Sequence, residues 1–251
     1  ANSYPVFDMK NPMGESSCVG CGECVQACPT GALIETSLLD KNNDQTIFPE
    51  KKIKSLCPFC GVGCQTLVSV KDNKIVAVDG QNGPANENRL CVKGRFGFDY
   101  INSPLRLTTP LIRISKKSKS WDISIDDKDI YKYFRKASWE EALDLASKKF
   151  TEILKSNKIN SLAGFGSAKG SNEEAYIFQK LIRTGFKTNN VDHCTRLCHA
   201  SSVAALLQSV GSAAVSAPFT AVKDSECIIL IGARPEQNHP VAASYFKQAV
   251  K

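Results

Sequence analysis

The sequence lacks any run of eighteen apolar residues, the length that a membrane-spanning helix requires, so we predict no membrane span. It also has little excess charge of one sign, because its net charge is only +7. Much of that charge lies in residues 51–54 and 113–119, and neither patch has the interleaved aromatic side chains that favour nucleic-acid binding. We therefore interpret both patches as solvated surface and expect no nucleic-acid partner.

The composition is that of a globular protein with many cysteines. The 251 residues have room for two or three small domains, and 42% of them are hydrophobic. Eleven cysteines would suit a secreted disulfide protein, but eight of them lie at metal-binding spacings within the first 91 residues. We therefore expect metal centres in place of disulfides.

The first group of cysteines, here called the first ladder, is Cys18, Cys21, Cys24 and Cys28, followed by Pro29. This C-x2-C-x2-C-x3-C-P spacing is that of bacterial ferredoxins with 4Fe–4S clusters. In two-cluster ferredoxins the fourth cysteine binds the other cluster, so Cys28 needs a partner ladder that the sequence lacks. We expect that ladder upstream, in a longer protein, and a single cluster bound by all four cysteines is the alternative.

The second ladder is Cys57, Cys60 and Cys64, closed by Cys91. All four ligands of one cluster are present within the chain. Four cysteines also suit a zinc ion, but zinc sites rarely separate three clustered thiolates from a distant fourth in this way. The spacing therefore favours a second 4Fe–4S cluster, and the protein is predicted to transfer electrons.

We divide the chain into a partial ferredoxin-like domain (1–36), a polar linker (37–54), a four-cysteine cluster domain (55–108) and an α/β domain (109–251). Two short β runs, 66–70 and 74–78, flank Asp72 and Asn73 and predict a hairpin. Residues 115–135 are charged and irregular, and we interpret them as a surface insertion.

The last part of the chain alternates helix and strand signals. Ser138 with Glu141, and Ser171 with Glu174, form capping boxes that predict helix starts. Residues 227–231 form a continuous apolar run, which predicts a parallel strand buried on both faces. The predicted fold class is therefore α/β, with small α+β iron–sulfur modules followed by an incomplete, doubly wound pterin-binding domain.

Two segments resemble a known family. Residues 57–97 resemble the N-terminal cluster domain of molybdopterin oxidoreductases. Residues 164–206 are GFGSAKGSNEEAYIFQKLIRTGFKTNNVDHCTRLCHASSVAAL, and they resemble the catalytic subunit of molybdenum- or tungsten-dependent formate dehydrogenases, particularly the soluble NAD-linked type. The family subunit is much longer, so the resemblance implies that this chain is its N-terminal third or so.

The resemblance implies roles for particular residues. Cys198 matches the cysteine that binds the metal, His199 matches a histidine implicated in proton handling, and Lys93 matches the lysine between cluster and proximal pterin. The loop 232–240 matches a segment that contacts a pterin guanine dinucleotide. Its candidate contact residues are Gly232, Arg234, Pro235, His239 and Pro240. Family members usually have Asn in place of Arg234, whose guanidinium is suited to a phosphate.

Without the resemblance, Cys198 and His199 allow other interpretations. A helix start after Cys198 favours a thiolate, and a neighbouring histidine titrates near neutral pH. A buried structural cysteine beside a hydrogen-bonded histidine fits the same residues, and together with His193 and Cys194 they would suit a zinc site. We expect Cys194 and Cys227 to be core cysteines.

The resemblance implies oxidation of formate to carbon dioxide at a molybdenum or tungsten ion, bound by Cys198 and a bis-molybdopterin guanine dinucleotide cofactor. Electrons would pass Lys93 and the 4Fe–4S clusters to a flavin- and NAD-binding partner subunit. Gly164, Gly166 and Gly170 depart from the dinucleotide fingerprint, so the chain lacks a convincing nicotinamide site of its own. A cytoplasmic location follows from the NAD-linked resemblance alone.

Three alternatives remain open at this point. Another molybdopterin enzyme, such as a nitrate reductase, shares the four-cysteine cluster, although Cys198 followed by His199 favours formate. A metal-free electron wire, like the large peripheral subunit of NADH:quinone oxidoreductases, fits less well because Cys198 and Lys93 are both retained. A bare ferredoxin-type module would leave the α/β half unexplained.

Overall fold

The computed structural model describes residues 7–114, 130–156, 160–215 and 217–250. The chain divides into two compact units: unit 1 is Ala1–Asn102 with Ala214–Lys251, and unit 2 is Ser103–Ala213. Both ladders belong to unit 1, together with Lys93 and the loop 232–240, whereas Cys198 and His199 belong to unit 2.

The described helices and strands are mostly short and make a mixed α/β architecture. The helices, in chain order, are α1 (Glu23–Ala27), α2 (Val92–Phe96), α3 (Asp99–Asn102), α4 (Ile130–Tyr133), α5 (Trp139–Lys155), α6 (Asn172–Lys180), α7 (Thr195–Cys198), α8 (Ala200–Val210), α9 (Pro235–Asn238) and α10 (Pro240–Ala249). The strands are β1 (Lys51–Leu56), β2 (Gln65–Lys71), β3 (Lys74–Gly80), β4 (Leu111–Arg113), β5 (Phe134–Lys136), β6 (Gly164–Gly166) and β7 (Val191–His193). Short 3-10 turns add Met13–Glu15, Thr36–Leu38 and Phe219–Asp224, and a π-helical turn, Leu181–Gly185, extends α6.

Unit 1 is built on an antiparallel sheet with the strand order β1–β2–β3. Asp72 and Asn73 have φ angles of 48° and 58° and make the two-residue turn between β2 and β3, as the hairpin geometry requires. The predicted hairpin is therefore confirmed. Residues 51–54, at the end of the predicted linker, pair with β2 as part of β1.

The core of unit 1 joins this sheet to α10. Its buried members are Cys57, Val62, Cys64, Val78, Leu90, Cys91, Val241, Ala242 and Tyr245. Three cysteines of the second ladder are among them, and the fourth, Cys60, is half-buried against the same cluster. The second ladder therefore lies in the hydrophobic core of unit 1 and not on its surface.

Tyr245 of α10 is fully buried and lies between two cations. The guanidinium of Arg89 is 4.7 Å from the ring centroid, and Nζ of Lys223 is 4.3 Å from it. The hydroxyl donates a hydrogen bond to the carbonyl of Ala85 at 3.3 Å, and both cations also pair with Glu87. Cation–π contacts contribute about 0.5–2 kcal/mol each, so these contacts fix α10 on the four-cysteine domain.

Unit 2 contains an antiparallel pair, β4–β5, and a parallel pair, β6–β7. The hydroxyl of Ser171 caps α6 and both bonds of its capping box form, which confirms that prediction. Ser138 caps α5, but the carboxylate of Glu141 pairs with Arg135 instead of returning to the backbone, so this capping box is incomplete. α8 ends at Val210 and is followed by Gly211 in the left-handed region, which is common at helix ends.

The predicted doubly wound sheet is not formed in the described part of the chain. There, β6 and β7 make the only parallel pairing. The run 227–231 is not a strand, and Ile229 and Ile231 are 79% and 85% exposed. A strand in the middle of a sheet needs neighbours on both edges, and the described residues supply none to this run.

The predicted surface insertion, 115–135, lies mostly outside the described residues. Its described end contains α4 and the start of β5, which pairs with β4. Within the ranges that the structure describes, every helix is too short or too polar to cross a membrane.

Candidate functional site

The second ladder is assembled by the ends of regular elements. Cys57 directly follows β1 and Cys64 directly precedes β2. The amide of Cys57 donates to the carbonyl of Cys64 at 2.9 Å, which closes the loop that carries Cys60. Cys91 is the residue before α2, so the sheet and the helix start bring all four cysteines to one core.

The four thiols interact electrostatically. Burial, followed by the charges of Cys57, Cys60 and Cys91, raises the pKa of the Cys64 thiol to about 12. A thiolate at Cys64 is therefore unfavourable until a positive centre compensates it, since metal binding deprotonates a coordinating thiol.

This donor set fits a 4Fe–4S cluster, which binds four thiolates at four separate iron atoms. Among the described residues, no three His, Cys, Asp or Glu side chains are arranged for a single metal ion. The apolar surroundings, with Val62 and Leu90 buried beside the thiols, match the dry environment in which iron–sulfur clusters are tuned. The burial of the second ladder and its four thiol donors thus both fit a 4Fe–4S cluster.

Helix α2 approaches the second ladder closely at Gly94. A Cβ at this position would lie 2.6 Å from Cδ1 of Leu90 and 3.4 Å from Sγ of Cys57. Any larger residue would push the helix away from the loop. The neighbouring Lys93 extends its Nζ to the carbonyl of Gln237 at 3.1 Å. The predicted electron-bridging lysine is therefore bonded to the predicted pterin loop.

The first ladder surrounds the short helix α1 and is more exposed. Cys18 and Cys24 are exposed, whereas Cys21 and Cys28 are half-buried. The amide of Gly20 donates to Sγ of Cys18 at 3.4 Å, as backbone amides do at cluster thiolates. The loop thus leaves two of its four cysteines exposed and partly covers the other two.

Cys28 has donors arranged for a thiolate. The hydroxyl of Thr30 lies 3.6 Å from its Sγ. This hydroxyl, followed by the backbone amides of Leu33, Thr30 and Ala32, lowers the pKa of the Cys28 thiol to about 7. Hydrogen bonds to the charged form of a group favour that form, so Cys28 suits an iron ligand. Which cluster it would serve stays a prediction.

Arg95 connects the two ladders, although no sequence motif marks it. Its side chain is fully buried. Nε donates to the carbonyl of Cys21 at 2.8 Å, and Nη1 donates to Asp79 at 3.0 Å. Nη2 donates to Glu23 at 2.9 Å and to Gln26 at 2.8 Å. The only signal in the sequence is that Arg95 follows Cys91 by one helical turn.

Glu35 is a second buried charged group that no sequence motif marks. Its Oε1 is 4.0 Å from Nη1 of Arg95, and its Oε2 has no hydrogen-bond partner among the described residues. Burial, followed by the charge of Asp79, raises the pKa of this carboxyl to about 7, although Arg95 and Ser37 act in the opposite direction. Glu35 is therefore protonated over most of the acidic range.

The predicted pterin loop is open to ligands. Gly232, Arg234 and His239 are exposed, and Pro235 and Pro240 are half-buried at the starts of α9 and α10. A cleft of about 450 Å³ adjoins the loop. Its walls include residues from both ladders and from the loop, namely Cys21, Glu23, Arg89, Cys91, Pro235 and Pro240. The structure thus brings the loop, Lys93 and both ladders together within unit 1.

Cys198 and His199 belong to unit 2 and are exposed. Cys198 is the last residue of α7, and its amide bonds the carbonyl of Cys194 at 3.1 Å. His199 precedes α8 as its N-cap. The predicted helix start after Cys198 is therefore present, and neither side chain is buried as a structural pair would be.

Two cysteine predictions are wrong. Cys194 and Cys227 were expected in the core, but both are exposed. Cys227 lies in the apolar run that forms no strand, so nothing covers it among the described residues. Cys194 has its Sγ 3.6 Å from Nδ1 of His193, whose ring also bonds Thr195. The local turn that begins α7 places Cys194 outward.

The fold and the ladders define an iron–sulfur oxidoreductase. Family models agree: a 4Fe–4S binding domain matches residues 14–34, a molybdopterin oxidoreductase Fe4S4 domain matches 50–103, and molybdopterin oxidoreductase matches 106–251. The last model covers more than half of the chain. The chain belongs to the molybdopterin oxidoreductase family, whose cofactors are 4Fe–4S clusters and molybdopterin.

The chain is similar to proteins of Bacillus and Staphylococcus. The chain is 35% identical to the oxidoreductase YjgC of Bacillus subtilis, over 98% of its own length and 27% of the relative. It is 32% identical to a protein of Staphylococcus aureus and 33% identical to one of Staphylococcus haemolyticus, both provisionally named formate dehydrogenases, with the same coverage. The chain thus spans about a quarter of the length of these relatives.

Proposed function

We propose that the longer protein to which this chain contributes oxidises formate to carbon dioxide. The reaction releases two electrons and one proton from each formate. The observation that carries the proposal is the bond between Nζ of Lys93 and the carbonyl of Gln237, because it joins the cluster domain to the loop proposed to bind pterin. The names of the staphylococcal relatives point to the same substrate.

A molybdenum or tungsten ion held by two pterin guanine dinucleotides would supply the two-electron chemistry that no side chain supplies. Cys198 would bind this metal through its Sγ, and His199 would hold the released proton on an imidazole nitrogen. Both side chains are exposed, as residues that meet a cofactor and a substrate must be. Arg234, Gly232, Pro235, His239 and Pro240 would contact the dinucleotide.

The electron path would run through unit 1. Lys93 would orient the proximal pterin and lead to the cluster of Cys57, Cys60, Cys64 and Cys91. The cleft shared by Cys91 and Cys21 supports a second step to the first ladder. The electrons would then pass to a flavin- and NAD-binding partner subunit, in the cytoplasm.

Two other functions compete with this proposal. A nitrate reductase would use the same ladders with a different substrate. An electron wire without molybdenum or tungsten would keep the ladders but would have no use for an exposed Cys198 beside His199. The presence of this pair beside the family match therefore favours an enzyme.

The test uses the full-length parent protein, its Cys198→Ala variant and a Cys194→Ala control. Cys194 is also an exposed thiol, one turn earlier, so the control removes a cysteine without touching the proposed metal ligand. We expect about one molybdenum or tungsten ion per chain and formate-dependent dye reduction, lost only in Cys198→Ala. Iron without either metal would identify an electron wire, and dye reoxidation by nitrate alone would identify a nitrate reductase.

A further inference from the structure

The guanidinium of Arg95 is the buried link between the two ladders. Its bonding partners on the first ladder are the carbonyl of Cys21 and the side chains of Glu23 and Gln26. Its partner on the sheet is Asp79 of β3. A fully buried guanidinium is tolerated only when such partners satisfy it, so its position and that of the ladder loop are fixed together.

The loop is shaped to receive this side chain. Gly22 has a φ of 73°, and a Cβ there would overlap Cδ of Arg95 and lie 2.7 Å from its Nε. Gln26 continues the contact, because its Oε1 accepts from the amide of Gly80 at 2.9 Å and its Nε2 donates to the carbonyl of Asn88 at 3.1 Å. The first ladder is thus docked on the second through one polar network.

We propose that Arg95 is a positioning residue that raises the reduction potential of the cluster bound by the first ladder. Reduction adds one electron to a cluster, so a fixed positive charge held against the ladder backbone at Cys21 stabilises the reduced form. The inference needs only that the first ladder binds a cluster, and it stands or falls separately from the proposed oxidation of formate.

The charges around Arg95 determine the sign of each substitution. Glu23 and Asp79 pair with the guanidinium at 2.9 and 3.0 Å, and Glu35 lies 4.0 Å from it, so the positive charge compensates carboxylates that would otherwise stand unpaired beside the first ladder. Arg95→Gln leaves these carboxylates behind, so the potential should fall. Asp79→Asn removes a negative charge and leaves the guanidinium, so the potential should rise. A charge effect predicts that Arg95→Gln and Asp79→Asn shift the reduction potential in opposite directions. A general loosening of the fold would not produce opposite shifts.

The experiment is an anaerobic redox titration, followed by electron paramagnetic resonance, of the cluster-loaded full-length parent protein. The signal of the first ladder is assigned by its loss in a Cys18→Ser variant. In Arg95→Gln we expect the ratio of reduced to oxidised cluster at a fixed potential to fall about tenfold, which is about 59 mV for one electron. Arg95→Lys keeps the charge and should recover most of this shift.

Lys223→Gln is the matched control, because it removes a cation of unit 1 that contacts Glu87 and Tyr245 at a distance from the first ladder's cysteines in the chain. The proposal is overturned if Arg95→Gln keeps its iron and its potential, or if Lys223→Gln shifts the same signal equally. Should Arg95→Gln lose the cluster, Asp79→Asn decides: a rise supports the proposal, and an unchanged or lower potential refutes it.

Discussion

Replacement of Glu35 by glutamine should remove a pH dependence from the stability of unit 1. The Glu35 carboxyl is buried, and one of its oxygens lacks a hydrogen-bond partner among the described residues. The groups that face it are Asp79, Arg95 and the hydroxyl of Ser37, and Lys52 lines the same cavity. Burial is the largest cause of its raised pKa of about 7, and the charge of Asp79 is the next.

The size and the sign follow from this pKa. The folded state binds the proton of Glu35 more tightly than the unfolded state, whose carboxyl has an ordinary pKa near 4.5. The contribution of protonated Glu35 to the free energy of unfolding is therefore fully present below about pH 4.5 and is lost as the pH rises towards 7. A shift of this size corresponds to about 3 kcal/mol at most. Glu35→Gln should match the parent in acid and exceed it above pH 7.

The assay is guanidinium unfolding of the cluster-loaded protein, followed by cluster absorbance, at about pH 5 and about pH 8. Glu87→Gln is the control, because Lys223 lowers the pKa of Glu87 and its contribution is lost only at more acidic pH. Equal pH dependence of the parent and Glu35→Gln would refute the reasoning, since it would show that Glu35 ionises in the fold without cost.

Three further results are expected. Cys64→Ser should lower the iron content by about four atoms per chain, whereas Cys227→Ser, at an exposed thiol outside both ladders, should not change it in an iron assay. Tyr245→Ala should lower the free energy of unfolding by about 3–5 kcal/mol in denaturant titrations, and Tyr245→Phe by about 1 kcal/mol, because only the bond to the Ala85 carbonyl is lost. Ser171→Ala should cost about 1 kcal/mol in the same titrations, since it removes the cap of α6.

Features with a local cause were predictable from the sequence. The hairpin at Asp72 and Asn73 and the cap at Ser171 depend on residues within four positions of each other, so their geometry is fixed by neighbouring side chains. The cysteine spacing similarly carries the metal chemistry in a short stretch. These signals predicted β2, β3 and the start of α6 correctly.

Features that depend on contacts between residues far apart in the sequence could not be predicted. Arg95 reaches Cys21 across 74 positions and Asp79 across 16, and no periodic pattern marks such a network. The apolar run 227–231 shows the reverse error: its composition suits a central strand, but strand formation needs partners that the described residues do not supply. The burial of Glu35 could not be predicted either, because it depends on contacts with residues that are distant in the sequence, such as Arg95.

The return of α10 to unit 1 has a consequence for biosynthesis. The core that holds Cys57, Cys64 and Cys91 is completed by Val241 and Tyr245, which the ribosome adds long after the second ladder. At ordinary synthesis rates this delay is roughly 10 to 30 seconds. During that interval the thiols lack the cover of α10. Delivery of iron and sulfide during translation would therefore meet cysteines that α10 does not yet cover, whereas delivery afterwards would meet them within a completed core.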